Sequence, residues 1–275
     1  MSATTPSFST DRPLLGRFRL TIKAVHFASV LLLGTILLPT VPLLGRYSKY
    51  LINWWLGRML AALGVTVELD GEAPAGPMLV VANHCSWLDI LVLGRAFNTA
   101  FVSKAEVGKW PLVGSFARAG GTLFLSRGAG KTGETSAAIR EVLDHDRSVL
   151  FFPEGTTTYD PTPHRFHARL FAAAIDGGYP VLPVGLRYAD DTTPPGMHHA
   201  LAPWVNEAPL GPHFRDLFKL HGITAQLRVC APINPRGYDR RSLAEAARTA
   251  VAHRQAMAAA RNARRTASAH TADDA

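Results

Sequence analysis

Hydrophobic and polar positions divide the chain into stretches of distinct character. Residues 24–45, AVHFASVLLLGTILLPTVPLLG, contain no Lys, Arg, Asp or Glu. Wound as an α-helix, about 22 residues rise roughly 33 Å, close to the hydrocarbon thickness of a bilayer. Pro39 and Pro42 interrupt such a helix and leave about 15 clean positions. The pattern therefore predicts a half-inserted helix or a tilted hairpin rather than a full span. The competing reading is a cleaved signal peptide, but no good A-x-A site follows the run. In 47–64, YSKYLINWWLGRMLAALG, the residues Tyr50, Leu51, Trp54, Trp55, Met59 and Ala62 fall mainly on one helical side, while Lys49 and Arg58 reach the other. Paired tryptophans beside Lys and Arg suit a membrane interface; the alternative is a helix capping a soluble domain.

From residue 65 the period changes. VTVEL alternates as a strand does, and MLVVAN (78–83) is a short continuous apolar run, the signature of a strand buried on both faces. Further strands are predicted at 99–103, 121–125, 148–152, 181–188 and 224–233. Helices are predicted at Trp87–Ala96, Lys109–Ala119, Thr132–His145 and Phe166–Asp176. Strands alternating with helices predict an α/β fold with a mostly parallel sheet flanked by helices. The expected organisation is membrane-associating N-terminal helices (1–64), an α/β domain (65–238) and a basic helical tail (239–275). Within the tail, Arg240–Arg265 reads as helix and 266–275 as disordered; the polar start, 1–13, is expected to fray.

Composition supports a packed core: 47% of residues are apolar and 18% charged. Two cysteines, Cys85 and Cys230, are too few for a disulfide framework and have no zinc spacing. The formal net charge is +8, and its distribution is informative. Residues 1–60 carry a net +6 and the tail +3, which leaves the middle close to neutral. A nucleic-acid binder concentrates its basic residues on the folded domain. Here they flank an apolar run, which fits an anionic membrane surface and excludes nucleic acid as partner.

The candidate chemistry follows the predicted strand 78–83, where Asn83-His84-Cys85-Ser86-Trp87-Leu88-Asp89 stands. Ligands of open α/β sheets gather beyond the carboxyl ends of strands. On a continuous helix His84 and Asp89 would lie roughly 140° apart. A turn at His84–Ser86, with Ser86 as N-cap and a helix from Trp87, lets Asp89 look back at the imidazole. Histidine is the usual general base near neutral pH, and a carboxylate beside it fixes the tautomer. A purely structural His/Asp pair has the same spacing. Cys85 as a thiolate nucleophile is the other option, but adjacent residues at a turn rarely present His and Cys in the needed geometry. His164, His167, His198 and His199 invite a metal reading; they lack a carboxylate at supporting spacing, and no metal or cofactor is expected.

The heptad 83–89 resembles the H-x4-D signature of the glycerolipid acyltransferase superfamily, which contains the 1-acyl-sn-glycerol-3-phosphate (lysophosphatidic acid) acyltransferase family. Further blocks follow in order: Lys104-Ala-Glu106 with Pro111-Leu-Val-Gly114, Gly121-Thr-Leu-Phe124-Leu-Ser-Arg127, Phe152-Pro153-Glu154-Gly155-Thr156 and Val181-Leu-Pro183-Val184-Gly185. The resemblance implies transfer of a fatty acyl group from acyl-CoA or acyl carrier protein to the hydroxyl of a lysophospholipid acceptor, foremost 1-acyl-glycerol-3-phosphate. It makes His84 the base and Asp89 its partner, without an acyl-enzyme. It also implies an active site on the cytoplasmic side of a membrane, the bacterial inner membrane, among membrane lipids. Residues Lys104, Arg127, Glu154, Gly155, Thr156 and Thr157 become candidates for substrate binding, with Arg165 and Arg169 as weaker cations. Glu154 reads more readily as a loop-holding group than as a second base. Backbone amides at the start of the helix after His84 are expected to supply part of an oxyanion hole. Many family members carry arginine where this chain has Thr157, a departure that also occurs in branches resembling lyso-ornithine lipid acyltransferases.

Overall fold

The computed structural model describes residues 13–125, 132–205 and 208–273. The chain start up to residue 12 and Arg127 therefore lie outside the described residues.

The strands are β1 (Val65–Asp70), β2 (Leu79–Ala82), β3 (Ala100–Lys104), β4 (Leu123–Leu125), β5 (Val149–Phe151), β6 (Val181–Ala189) and β7 (Ile223–Val229). They form one sheet in the order β1-β7-β6-β2-β5-β3-β4. All neighbours are parallel except β6 and β7. The predicted α/β class with a mostly parallel sheet is thus what the chain forms. The central strands β2 and β6 are buried along their whole lengths, which is why they read as continuous apolar runs.

Strand periodicity divides the core into two layers. Val80 and Ala82 of β2, with Leu182, Val184, Leu186 and Tyr188 of β6, face helices α2 (Ser48–Leu63), α3 (Leu88–Phe97) and α7 (Leu210–Lys219). Leu79, Val81, Val149 and Val181 face α5 (Thr132–Asp144), α6 (Ala172–Gly177) and α8 (Arg240–Asp273). The predicted tail helix is α8. Leu243, Ala244, Ala247 and Val251 pack into the second layer, so this stretch is core rather than appendage. Its helix also continues to Asp273, through positions where composition suggested a disordered end.

Two predicted elements change shape, and one element is new. The helix expected over Lys109–Ala119 is split: a 3-10 turn covers Val107–Lys109, and α4 (Val113–Ala119) begins beyond Pro111. There Gly114 lies against the Gly108 carbonyl, and a Cβ would collide with it. The helix expected over Phe166–Asp176 is a 3-10 turn, Ala168–Phe171, followed by α6. Helix α7 occupies a region where no element is predicted. Gly211 and Pro212 in its first turn read as a loop, although proline is tolerated there. Its apolar side is fixed by tertiary contact: Phe214 and Phe218 meet Phe27, with centroids 5.1 and 5.7 Å apart.

The N-terminus is a helical hairpin. Helix α1 (Pro13–Leu37) gives way at the two prolines to 3-10 turns and then to α2, as the interruption predicts. The segment Phe18–Thr40 is long and apolar enough to cross a bilayer, and only 11% of its window is buried within the protein. The helices touch closely where Gly34 meets the Trp55 indole, whose Nε1–H donates to the Val30 carbonyl at 3.0 Å.

If the first turns of α8 are core, Val251→Asp should lower unfolding free energy by at least about 3 kcal/mol, because the new charge is buried without a partner. Met257→Asp, at an exposed position of the same helix, should stay within about 0.5 kcal/mol of wild type. Urea denaturation of the two variants measures both.

Candidate active site

Strands β2, β3, β5 and β6 run the same way, so their carboxyl ends open on one edge of the sheet. The loop after β2 places His84 there. Two contacts hold that loop in the core. Asn83 Nδ2 donates to the Leu186 carbonyl at 2.9 Å, while its Oδ1 accepts the Leu186 amide at 2.7 Å. The side chain thereby acts as an extra pair of strand groups between β2 and β6. On the other side, the Thr158 amide donates to the His84 carbonyl and the Trp204 amide to the Cys85 carbonyl.

Helix α3 then starts and brings Asp89 round. Trp87 already has helical dihedrals, so Ser86 stands at the N-cap position, and the Asp89 carboxylate reaches back to it. Oδ2 accepts the amides of Cys85 and Ser86 at 2.8 and 2.9 Å and lies 2.7 Å from His84 Nδ1. Oδ1 accepts the Tyr188 hydroxyl at 2.9 Å and a weaker bond from the Cys85 thiol at 3.6 Å. Asp89 is fully buried. Two amides already donate to Oδ2, so an acceptor is what His84 meets there; its Nδ1 carries the proton and Nε2 has the lone pair. The imidazole lies flat on Phe152, centroids 3.8 Å apart at 10°. His84 keeps 17% of its side chain exposed, and Nε2 has no hydrogen-bond partner among the described residues. The site therefore presents one oriented basic nitrogen outward at the mouth of the sheet.

The loop after β5 supports this arrangement from beside it. Glu154 Oε1 accepts the His84 amide and Oε2 the His164 amide, at 2.9 and 3.0 Å. Burial raises the Glu154 pKa, and the two amides pull it back. Both oxygens are spent on backbone, so Glu154 holds two loops together. Gly155 has φ +69° and is exposed, as is Thr156, whereas Thr157 is half-buried. Lys104 ends β3 on the same edge and is exposed. One strand separates β3 from β2, which puts the two roughly 10 Å apart across the sheet. Arg165 and Arg169 are exposed on the segment that follows.

The amides of His84, Cys85 and Ser86 all donate to carboxylates, and in the first helical turn the Leu88 and Asp89 amides donate to Ser86; these five donors are spent within the loop and the helix start. The Cys85 thiol is fully buried, and burial followed by the Asp89 charge pushes its pKa well above the ordinary value. It remains a thiol, unsuited to nucleophilic attack. The residue absent from the sequence reading is Tyr188. It sits one strand away at the end of the Val181-Leu-Pro183-Val184-Gly185 block, and its buried aromatic ring was legible only as core.

His198 belongs to the packing behind this pair. Its Nδ1 accepts the Tyr188 amide at 3.4 Å, and burial lowers its pKa to about 4. His199 pairs with Asp190 at 3.3 Å. Among the described residues, no group of three or more His, Cys, Asp or Glu side chains could hold a metal ion.

A mostly parallel sheet with this helix arrangement, carrying the His-x4-Asp loop, is that of an acyltransferase, and comparison with known proteins agrees. A family profile described as Acyltransferase matches residues 64–187. A lyso-ornithine lipid O-acyltransferase of Pseudomonas aeruginosa is 38% identical over 245 residues, covering 86% of this chain and 93% of that protein. A 1-acyl-sn-glycerol-3-phosphate acyltransferase of Neisseria meningitidis is 40% identical over 141 residues, about half of each chain (50% and 55%). The crystal structure of the 1-acyl-sn-glycerophosphate acyltransferase PlsC from Thermotoga maritima superposes with a TM-score of 0.61 over 87% of this chain and 95% of that one. At 22% identity it speaks for the fold. The chain belongs to the glycerolipid acyltransferase superfamily.

Two outcomes test the site's supports. Cys85→Ala should leave acyl transfer within a few-fold of wild type in a labelled-acyl assay; complete loss would restore the thiol nucleophile. His198 has a lower pKa folded than unfolded, so the unfolded chain binds the extra proton between pH 6.5 and 4. Stability should therefore fall as pH drops through that window, by an amount of order 3 kcal/mol from this group. His198→Gln should flatten the fall in denaturation midpoint.

Proposed function

We propose that this chain is a membrane-associated O-acyltransferase. It moves a fatty acyl group from the thioester of acyl-CoA or acyl carrier protein to the free hydroxyl of a lysolipid. The observation that carries the reading is the His84–Asp89 pair, with Nε2 turned outward at the carboxyl edge of the sheet. Nε2 takes the hydroxyl proton as the oxygen attacks the thioester carbonyl. The C–O bond forms, the tetrahedral intermediate collapses, and the C–S bond breaks to release a thiolate. A thiolate is a good leaving group near neutral pH, so the step needs no strong acid. Asp89 holds the imidazole in the productive tautomer and stabilises the imidazolium. The reaction needs no cofactor, since the activated acyl group arrives on the donor substrate.

The hairpin supports membrane association. The apolar segment Phe18–Thr40 is mostly unburied, and basic residues border it, as at a bilayer surface of negative charge. The thioester donors are cytoplasmic, so the catalytic edge belongs on that side of the bacterial inner membrane.

Lyso-ornithine lipid is the acceptor best supported. The Pseudomonas aeruginosa relative, aligned over most of this chain, is named for it. Thr157 also offers no guanidinium to a phosphate where many family members have arginine. The loop Gly155–Thr157 presents small polar groups instead, with Lys104 a candidate cation at this edge. A second reading, 1-acyl-glycerol-3-phosphate, is favoured by the Neisseria meningitidis relative.

Membranes containing the protein, supplied with labelled acyl-CoA and the two lysolipids in competition, should label ornithine lipid in preference to phosphatidate. Preferred labelling of phosphatidate would establish the second reading. His84→Ala should reduce turnover roughly 10² to 10⁴-fold, the usual worth of a general base; undiminished turnover would sink the mechanism.

A further inference from the structure

The hairpin carries a pocket that shares no residue with the catalytic loop. His26, Ser29, Val30 and Leu33 lie on one face of α1, and Trp54 and Arg58, four residues apart, face them from α2. The cavity has a volume of about 370 Å³, within the range of small-ligand sites. Val30, Leu33 and Trp54 make its wall apolar. At one corner Arg58 Nη2 lies 3.5 Å from His26 Nε2.

Arg58 has no carboxylate partner among the described residues. The sequence supplies none nearby: no Asp or Glu occurs between Arg12 and Val67. A guanidinium has five N–H donors, and a single imidazole nitrogen meets only part of that capacity. The other basic residues near the turn differ. Arg46 lies over the Tyr47 ring at 5.0 Å and Lys49 over Tyr50 at 5.2 Å, so each already has an aromatic partner. An uncompensated cation at the rim of an apolar cavity calls for an amphiphilic anion. On the surrounding surface of the hairpin Leu32, Ile36, Tyr50 and Trp54 are exposed.

We propose that this pocket binds an anionic phospholipid of the host bilayer. Its phosphate meets Arg58 and His26, and the start of one acyl chain lies along Val30, Leu33 and Trp54. The proposal rests on the membrane association inferred above. The apolar wall favours a lipid over free phosphate, and the surplus of Lys and Arg on the hairpin favours a net-anionic headgroup over a zwitterion.

The test uses the full chain on vesicles of phosphatidylcholine with a minority of phosphatidylglycerol, with one of the two lipids brominated at a time. The Trp54 signal is obtained by subtracting the emission of Trp54→Phe. Brominated phosphatidylglycerol should quench Trp54 about fivefold more effectively, mole for mole, than brominated phosphatidylcholine, the worth of one well-placed cation. The double variant His26→Gln/Arg58→Gln should lose that preference, and Arg46→Gln/Lys49→Gln should keep it. Acyl transfer in detergent should be unchanged in His26→Gln/Arg58→Gln, which reports an intact fold. Equal quenching by the two lipids, or equal loss in both double variants, would leave only diffuse surface charge and overturn the pocket. Failure of wild type to float with any vesicle would overturn the membrane reading and the pocket together. Flotation without a Trp54 preference would overturn the pocket alone.

Discussion

The Asp89 carboxylate is the point on which the candidate site turns. It is fully buried, and a buried carboxylate is tolerated only when donors surround it. Here the donors come from separate parts of the chain: the amides of the loop after β2, the imidazole of His84, and the hydroxyl of Tyr188 at the end of β6. One group therefore closes the start of α3, fixes the His84 tautomer and ties the loop to the neighbouring strand. Charge-assisted hydrogen bonds of this kind are stronger than neutral ones, and their convergence leaves the imidazole little freedom.

That constraint depends on the layers beneath it. β2 is only four residues long, yet Asn83 extends its pairing by bonding both backbone groups of Leu186. Gln255 of α8 adds a donor to the same Leu186 carbonyl at 3.1 Å. The helix that reads as a basic tail thus touches the strand residue that anchors the loop carrying His84. Glu154 performs a parallel service from β5, bonding the amides of both His84 and His164. A polar network buried this deeply is specific because each member would be costly if left unpaired.

The N-terminal hairpin joins this core through aromatic contacts. Phe27 packs between Phe214 and Phe218 of α7, and Trp55 stacks on Phe116 of α4 at 4.5 Å. The hairpin is therefore packed directly onto helices of the α/β core.

Much of this was legible in the residues themselves. The apolar runs at 78–83 and 181–188 specified central strands, because a strand covered on both faces must be apolar throughout. Pro39 and Pro42 specified the break in the hairpin, because proline supplies no helical N–H. The spacing of His84 and Asp89 required a turn before a helix, and the two side chains meet across that turn. Other features lay beyond sequence reasoning. Tyr188 is 99 positions from Asp89, and nothing local distinguishes it from core. The amides of His84, Cys85 and Ser86 are consumed by Asp89 and Glu154, and only the folded geometry shows which donors are spent. Helix α7, with Gly211 and Pro212 in its first turn, gains its stability from α1 rather than from its own propensity. Periodicity and local stereochemistry are written along the chain. The pairing of a buried charge with distant donors is settled only when tertiary packing removes water and leaves each polar group to find its partner.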